Sequence, residues 1–172
     1  MSLTFPVVPY NVARLKEQAY NLLVMKIAIG ADHAGYHLKE KIKEFLLSKG
    51  YQVIDFGTDS TASTDYPLFA REVALAIQRG EAQQGILICG TGIGMCITAN
   101  KFKGVYAALC TNEYMAKVSR EHNNANVLCL GGRVLGDELA ISIVSAWLVS
   151  EFSGDRHKRR VDLITKLEED MC

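Results

Sequence analysis

The chain contains no apolar run approaching the ~20 residues of a membrane-spanning helix, so no segment reads as a membrane span. An excess of charge of one sign is equally absent. Lysine plus arginine and aspartate plus glutamate number 19 each, which leaves no global field to recruit nucleic acid or an anionic membrane surface, and neither is an expected partner. The five cysteines include no CxxC pair and no framework spacing, so a zinc site and a disulfide scaffold are both unexpected and a reducing, cytoplasmic setting is expected. Only three prolines interrupt 172 residues, a length that suits one domain with a substantial core. Pro6 and Pro9 fall within residues 1–24, which lack the basic start, apolar middle and small-residue cleavage site of a secretory signal. Val12, Leu15, Ala19 and Leu22 keep helical spacing there, so this segment reads as an extension with one short helix or as a remnant foreign to the fold. The domain itself is expected over residues 25–172.

Glycine, by contrast, is concentrated where it matters. In Gly85-Ile86-Leu87-Ile88-Cys89-Gly90-Thr91-Gly92-Ile93-Gly94-Met95 a short β-branched, apolar run reads as a buried strand, and the glycines after it allow a sharp turn with inward amides. A helix over about Met95–Lys101 would then present N–H groups without intrahelical partners. Such a turn stabilises a phosphate or a developing oxyanion. It is neither GxGxxG nor the phosphate loop GxxxxGK[ST], so dinucleotide binding is only weakly supported.

Around this stretch, short strands alternate with longer helical segments, which implies parallel strands joined by crossover helices. The strands are expected at Lys26–Gly30, Gln52–Asp55, up to Cys89, Val105–Leu109 and Val127–Leu130. Helices are expected at Tyr36–Ser48, Tyr66–Gln78, after the glycines, and over about Glu113–Glu121, Asp137–Val149 and Arg156–Glu169. Gly50 is placed to end the first helix, and Pro67 sits in the first turn of the second. In an open parallel sheet ligands bind beyond the carboxyl ends of the strands. Those ends carry Asp32-His33, the acids Asp55, Asp59 and Asp65, Cys89 with its glycines, and Gly131-Gly132-Arg133.

Each candidate has a plainer reading beside the functional one. A free cysteine is usually a small hydrophobe, but Cys89 stands beside a helix start and the hydroxyl of Thr91, where the thiolate is favoured as base or nucleophile. Cys96, Cys110 and Cys129 lie on elements expected to be buried, and Cys172 in a tail. His122 could simply complement its helix dipole, yet the asparagine-rich exit with Asn123 suits sugar hydroxyls beside an acid-base imidazole. Asp32 could be a helix cap with His33 incidental, or the pair could pass protons to a ring oxygen. His37 reads as solvated. Arg156-His157-Lys158-Arg159-Arg160 could be a solvated face. Helical spacing nevertheless puts Arg156 and Arg160 on one side with His157 next to Arg160, which with Arg133 fits a phosphate dianion.

Taken together, Gly30-Ala31-Asp32-His33-Ala34-Gly35, Asp65-Tyr66-Pro67, Cys89-Gly90-Thr91-Gly92-Ile93-Gly94, Arg120-Glu121-His122-Asn123-Asn124-Ala125-Asn126, Gly131-Gly132-Arg133 and Arg156-His157 resemble the type B ribose-5-phosphate isomerases. That family includes allose- and galactose-6-phosphate isomerase relatives, and the matching motifs span nearly all of residues 25–172. The resemblance implies an α/β, Rossmann-like three-layer sandwich with a five-stranded parallel sheet. It also implies a homodimer or dimer of dimers that shares its sites, the C-terminal helix reaching into the neighbour. By this analogy Cys89 moves a proton between sugar carbons 2 and 1 with Thr91 supporting it, Asp32 and His122 assist ring opening, and His33 lines the site. Tyr66 and Asn123 would contact the sugar, the amides from Gly90 through Gly92 and Ile93 to Gly94 would hold the enediolate oxygen, and Arg133, Arg156, His157 and Arg160 would clamp the phosphate. Some members use a glutamate base where this chain has Met95, which places the chain in the cysteine branch; the segment before Met25 is its one clear departure.

The expected activity is therefore interconversion of ribose 5-phosphate and ribulose 5-phosphate, with no cofactor and no metal if the loop amides stabilise the enediolate. A six-carbon substrate such as allose 6-phosphate is the nearest alternative. A non-catalytic sugar-phosphate or nucleotide sensor on the same scaffold is the rival from another class; it would have no use for Cys89 and His122 in one chain.

Overall fold

The computed structural model describes residues 24–170, and the expectations for the segment before Val24 and for Cys172 fall outside them. Strands β1 (Lys26–Ala31), β2 (Gln52–Asp55), β3 (Gln84–Cys89), β4 (Ala107–Leu109) and β5 (Val127–Gly131) alternate with helices along the chain. The helices are α1 (Tyr36–Ser48), α2 (Tyr66–Gln78), α3 (Ile93–Ala99), α4 (Glu113–Asn123), α5 (Asp137–Leu148) and α6 (Asp155–Asp170). The sheet runs β2-β1-β3-β5-β4, and every pairing is parallel. The parallel strands and crossover helices follow the pattern of the sequence, and together they form the Rossmann-like α/β sandwich that the resemblance implies.

Strand periodicity sorts the core into two halves. Ile27, Ile29, Ile86, Ile88, Leu128 and Leu130 face one way and pack on Leu38, Ile42 and Leu46 of α1 and on Ile143, Val144 and Trp147 of α5. Ala28, Leu87, Cys89, Val127 and Cys129 face the other way, onto Ala70, Val73 and Ala74 of α2 and Met95 and Ala99 of α3. This parity puts the Cys89 side chain on the α3 side of the sheet. Trp147, fully buried, directs its indole N–H to Gln84 Oε1 at 3.0 Å, so the one polar atom of that side chain has a partner.

Two elements start two residues away from the expected place, for local reasons. Helix α3 begins at Ile93, because Gly92 adopts the left-handed conformation (φ 79°) that lets a helix start directly behind it. Strand β4 begins only at Ala107. Val105 N turns back to Phe102 O at 3.0 Å, and Tyr106 N is taken by the Asn126 side chain at 2.8 Å, so neither amide is in the ladder.

Asp55, expected at the functional rim, is occupied elsewhere. The Lys39 ammonium, on a side chain only 2% exposed, lies 2.8 Å from Asp55 and 2.7 Å from Glu40, while Lys43 reaches Asp55 at 2.7 Å. The other Asp55 oxygen accepts from Gly57 N at 2.9 Å. Burial alone would raise the Asp55 ionisation, but the hydrogen bonds from Lys39, Lys43 and Gly57 outweigh it and hold the carboxyl below its usual range. A lowered carboxylate contributes stability that is full above the ordinary value of about 3.9 and is lost as pH falls through the folded-state value. Urea denaturation from about pH 6 to about pH 3 should therefore show a shallower loss of stability with acid in Asp55→Asn than in the parent chain; parallel curves would mean that this carboxylate contributes nothing to the acid limb.

Candidate active site

The strand order reverses between β1 and β3, since the chain moves outward from β1 to β2 and then crosses to the far side. Ligand crevices open at such switch points, beyond the carboxyl ends of the two strands. Here that crevice is a cavity of about 460 Å³. Asp32, His33 and Ala34 enter it from β1, and Cys89, Gly90 and Thr91 from β3. Ile93, Gly94 and Ile97 of α3, Tyr66 at the start of α2, and Arg133 after β5 complete its wall. A larger depression of about 650 Å³ lies between Gln78, Gln83, Lys103 and Asn126, yet Lys103 is the only ionisable residue in its lining and no cysteine, histidine or carboxylate faces it. The chemistry belongs to the smaller cavity.

The turn after β3 is built around the sulfur. Gly92 N donates to Cys89 Sγ at 3.1 Å, and Ile93 N donates to Thr91 Oγ1 at 3.3 Å. Cys89 is 5% exposed, so its sulfur is largely desolvated while still lining the cavity. The carbonyls of Cys89 and Gly90 accept from Gly132 N at 2.8 Å and Arg133 N at 3.0 Å, which ties the loop after β5 to this turn and sets Arg133 on the rim. A Cβ at Gly94 would stand 2.6 Å from the Tyr66 ring, so glycine there lets the ring lie against the turn.

On the β1 side, Asp32 Oδ1 accepts from Ala34 N at 2.9 Å and Gly35 N at 3.0 Å. Asp32 thus closes the turn that leads into α1, whose N-cap position is held by Gly35 without a side-chain cap bond, and lines the cavity at once. His33 Nδ1 accepts from Thr64 N at 3.2 Å. Neither Asp59 nor Asp65 is part of the wall; Asp65 holds the N-cap position of α2 without a side-chain cap bond, and Asp59 is exposed.

The remaining expected site residues form a second group. His122 and His157 stack with ring centroids 4.1 Å apart and planes 4° from parallel. Arg156 Nε donates to His157 Nε2 at 3.3 Å, Arg160 is exposed one turn further along α6, and exposed Asn123 follows His122. Burial first, then the nearby His122, Arg156 and Arg160, hold His157 below the usual histidine range. None of these five side chains lines the cavity at Cys89. The topology explains the separation. Helix α4 leads from the carboxyl end of β4 back to the start of β5, so along its length of about 16 Å it carries its last turn to the amino-terminal end of the strands.

Cys110 and Cys129 are buried as expected, but Cys96 is only partly buried. A hydrogen bond from Cys129 outweighs burial and, with the Leu109 amide and Asn100, brings the Cys96 thiol down to about 7, whereas burial pushes Cys110 up to about 11. Sequence reasoning also missed Ala34 and Ile97 as walls. Ile93 and Ile97, spaced i,i+4 and 51% and 57% exposed, were legible as an outward apolar stripe on a short helix. Among the described residues no three His, Cys, Asp or Glu side chains gather as a metal-ligand set, and no helix is long and apolar enough to cross a membrane.

Fold and site together define a Rossmann-like α/β protein with a thiol held over a glycine turn at the switch point. Residues 27–164 match the model of a family described as Ribose/Galactose Isomerase. Ribose-5-phosphate isomerase B of Escherichia coli (strain K12) is 52% identical over 144 residues, which covers 84% of this chain and 97% of that protein. D-erythrulose-4-phosphate isomerase of Pectobacterium atrosepticum is 48% identical over 142 residues, covering 82% and 93%. Among solved structures, ribose-5-phosphate isomerase B of Clostridium thermocellum is 55% identical with a TM-score of 0.85, covering 86% of this chain and all of that one. The chain belongs to the ribose/galactose isomerase family.

The two glycines flanking Thr91 should respond differently to substitution. At Gly92 the backbone is left-handed, and a Cβ would stand 2.5 Å from Leu109 Cδ1 and 2.9 Å from the Leu130 carbonyl. At Gly90 the nearest neighbours would be at 3.5 Å, an ordinary contact. Gly92→Ala is expected to lower unfolding free energy by roughly 1–3 kcal/mol and Gly90→Ala by less than about 0.5 kcal/mol, read from urea midpoints at unchanged slope; equal midpoints would show that the turn has no such constraint.

Proposed function

We propose that the protein is an aldose–ketose isomerase that interconverts ribose 5-phosphate and ribulose 5-phosphate through ring opening and an enediolate. The observation that carries this reading is the Cys89 sulfur, bound by the Gly92 amide at 3.1 Å and lining a cavity at the strand switch point. The Gly92 amide aims the sulfur into the cavity, and the thiolate is the form of a cysteine that removes a proton from carbon. In this proposal Cys89 takes the proton from C2 of the open aldose and returns it to C1, while the hydroxyl proton of O2 passes to O1. Charge builds on oxygen only as the C–H bond breaks, so donors aimed at that oxygen act on the transition state. With Gly92 and Ile93 N–H committed to Cys89 and Thr91, the donors left for the oxygen in this reading are the amides of Gly90, Thr91 and Gly94. Asp32 and His122 assist ring opening, Tyr66 and Asn123 contact the sugar, and Arg133, Arg156, His157 and Arg160 hold the phosphate.

Those roles call for a homodimer. His122, Asn123 and the α6 cations sit at the far edge of the sheet from Cys89 in their own chain, so a second copy has to bring its own set to the rim, the C-terminal helix α6 reaching across. A pair of such dimers is compatible with the same contact. The free thiols Cys89, Cys96, Cys110 and Cys129 suit the cytoplasm.

Cys89→Ala is expected to abolish turnover of ribose 5-phosphate while phosphate affinity, measured by calorimetry, stays within about threefold of the parent, as befits removal of an interaction made only in the transition state. The parent, assayed beside it on phosphorylated four-, five- and six-carbon aldoses, should prefer the five-carbon substrate in kcat/KM; a preference for allose 6-phosphate would move the assignment to the six-carbon reading. Shared sites have their own signature. Co-expressed Cys89→Ala and His122→Ala chains, each inactive alone, should recover roughly a quarter of parental activity, because half of the random dimers contain one intact site of two. No recovery would place Cys89 and His122 of one chain in one site.

A further inference from the structure

His33 has a feature that neither the thiol nor the phosphate clamp explains. Its Nδ1 accepts a hydrogen bond from the main-chain N–H of Thr64 at 3.2 Å. A ring nitrogen that accepts cannot carry a proton, and a neutral imidazole has one N–H, so the proton is on Nε2. The neighbouring carboxylate does not set this state, because among the described residues no hydrogen bond joins Asp32 to His33; Asp32 Oδ1 accepts from Ala34 N and Gly35 N. Nor does the Thr64 side chain, whose buried hydroxyl has no partner among the described residues. The amide alone does. Thr64 lies in the connection between β2 and α2, one residue before the N-cap Asp65 and two before Tyr66, which covers Gly94.

We infer that the Thr64 main-chain amide is a positioning group: it fixes His33 in the Nε2–H tautomer, so that this histidine meets the ligand in the cavity as a hydrogen-bond donor. A donor at this wall suits a sugar oxygen that is gaining charge, and a fixed donor cannot serve as a second base beside Cys89. The identity of that oxygen rests on the isomerase reading above; the tautomer does not. The connection from Phe56 to Asp65 thereby contributes to the site through its backbone, without placing a side chain in the cavity wall.

The test is nitrogen-15 NMR of the full-length protein labelled in histidine, without ligand, at mildly alkaline pH. The expected spectrum shows His33 Nε2 as the protonated, pyrrole-like nitrogen and Nδ1 as the bare, pyridine-like one. Thr64→Val keeps the amide and should keep that spectrum. Thr64→Pro removes the N–H and should give a mixture of tautomers. A proton on Nδ1 in the parent, or an unchanged spectrum in Thr64→Pro, overturns the inference. Should Thr64→Pro fail to fold, two variants of His33 decide. In His33→Gln the carboxamide N–H can reach the place of Nε2, whereas in His33→Asn the oxygen replaces Nδ1 and the donor is lost. His33→Gln is expected to keep kcat/KM about tenfold above His33→Asn, the scale of one hydrogen bond to a group gaining charge; equality or the reverse order overturns it. An Nε2–H spectrum in a protein without turnover on sugar phosphates would instead refute the isomerase reading and leave the tautomer standing.

Discussion

The hydrogen bond from Gly92 N to the Cys89 sulfur depends on a turn so tight that the Leu130 carbonyl would stand 2.9 Å from any Cβ at position 92. Only a left-handed residue closes that turn, and the same conformation starts α3 at once. One backbone geometry therefore aims the sulfur, orients the first amides of α3 and brings Ile93 and Ile97 to the wall of the cavity. The loop after β5 is tied on by the Gly132 and Arg133 amides, so Arg133 inherits its place from the same turn. Displacing Gly92 would disturb the sulfur, the first amides of α3 and Arg133 together.

The order of the strands imposes a second constraint. Parallel strands with crossover helices put strand ends and helix ends on opposite edges of the sheet. Asp32, His33 and Cys89 follow strands and meet; His122 and His157 belong to a helix end and a helix start at the other edge and meet each other instead. The fold thus keeps these two groups of side chains apart within one chain.

Much of the architecture was legible because local signals agreed with tertiary ones. Helices α1 and α2 and strand β2 have the expected limits, since Gly50, with φ 84°, stops α1 and Pro67 stands in the first turn of α2. A rim beyond the carboxyl ends of the strands followed from strand alternation, and Asp32, His33, Tyr66, Cys89 and Arg133 line the cavity that opens there. What stayed hidden depends on partners distant in sequence. Asp55 looked like a rim acid because nothing local shows that Lys39, sixteen residues earlier, is buried against it. The lowered Cys96 thiol stayed hidden because helical spacing does not reveal that the sulfur of Cys129 lies beside it. The contact from Thr64 to His33 has no side-chain signal at all, since it is made by the main chain.

Arg120 joins several of these parts at the far edge. Its guanidinium lies 5.3 Å from the ring centroid of Trp147 and donates to the carbonyls of Ala125 and Ser150, while Ser153 N donates to Glu121 O at 3.0 Å. These contacts fasten the last turn of α4, with His122, to the segment that leads into α6 and His157. Trp147 is the only tryptophan in the chain. Its intrinsic fluorescence accordingly arises from a single indole beneath that joint, and the molecule carries a built-in optical reporter for any event that tilts the imidazole pair.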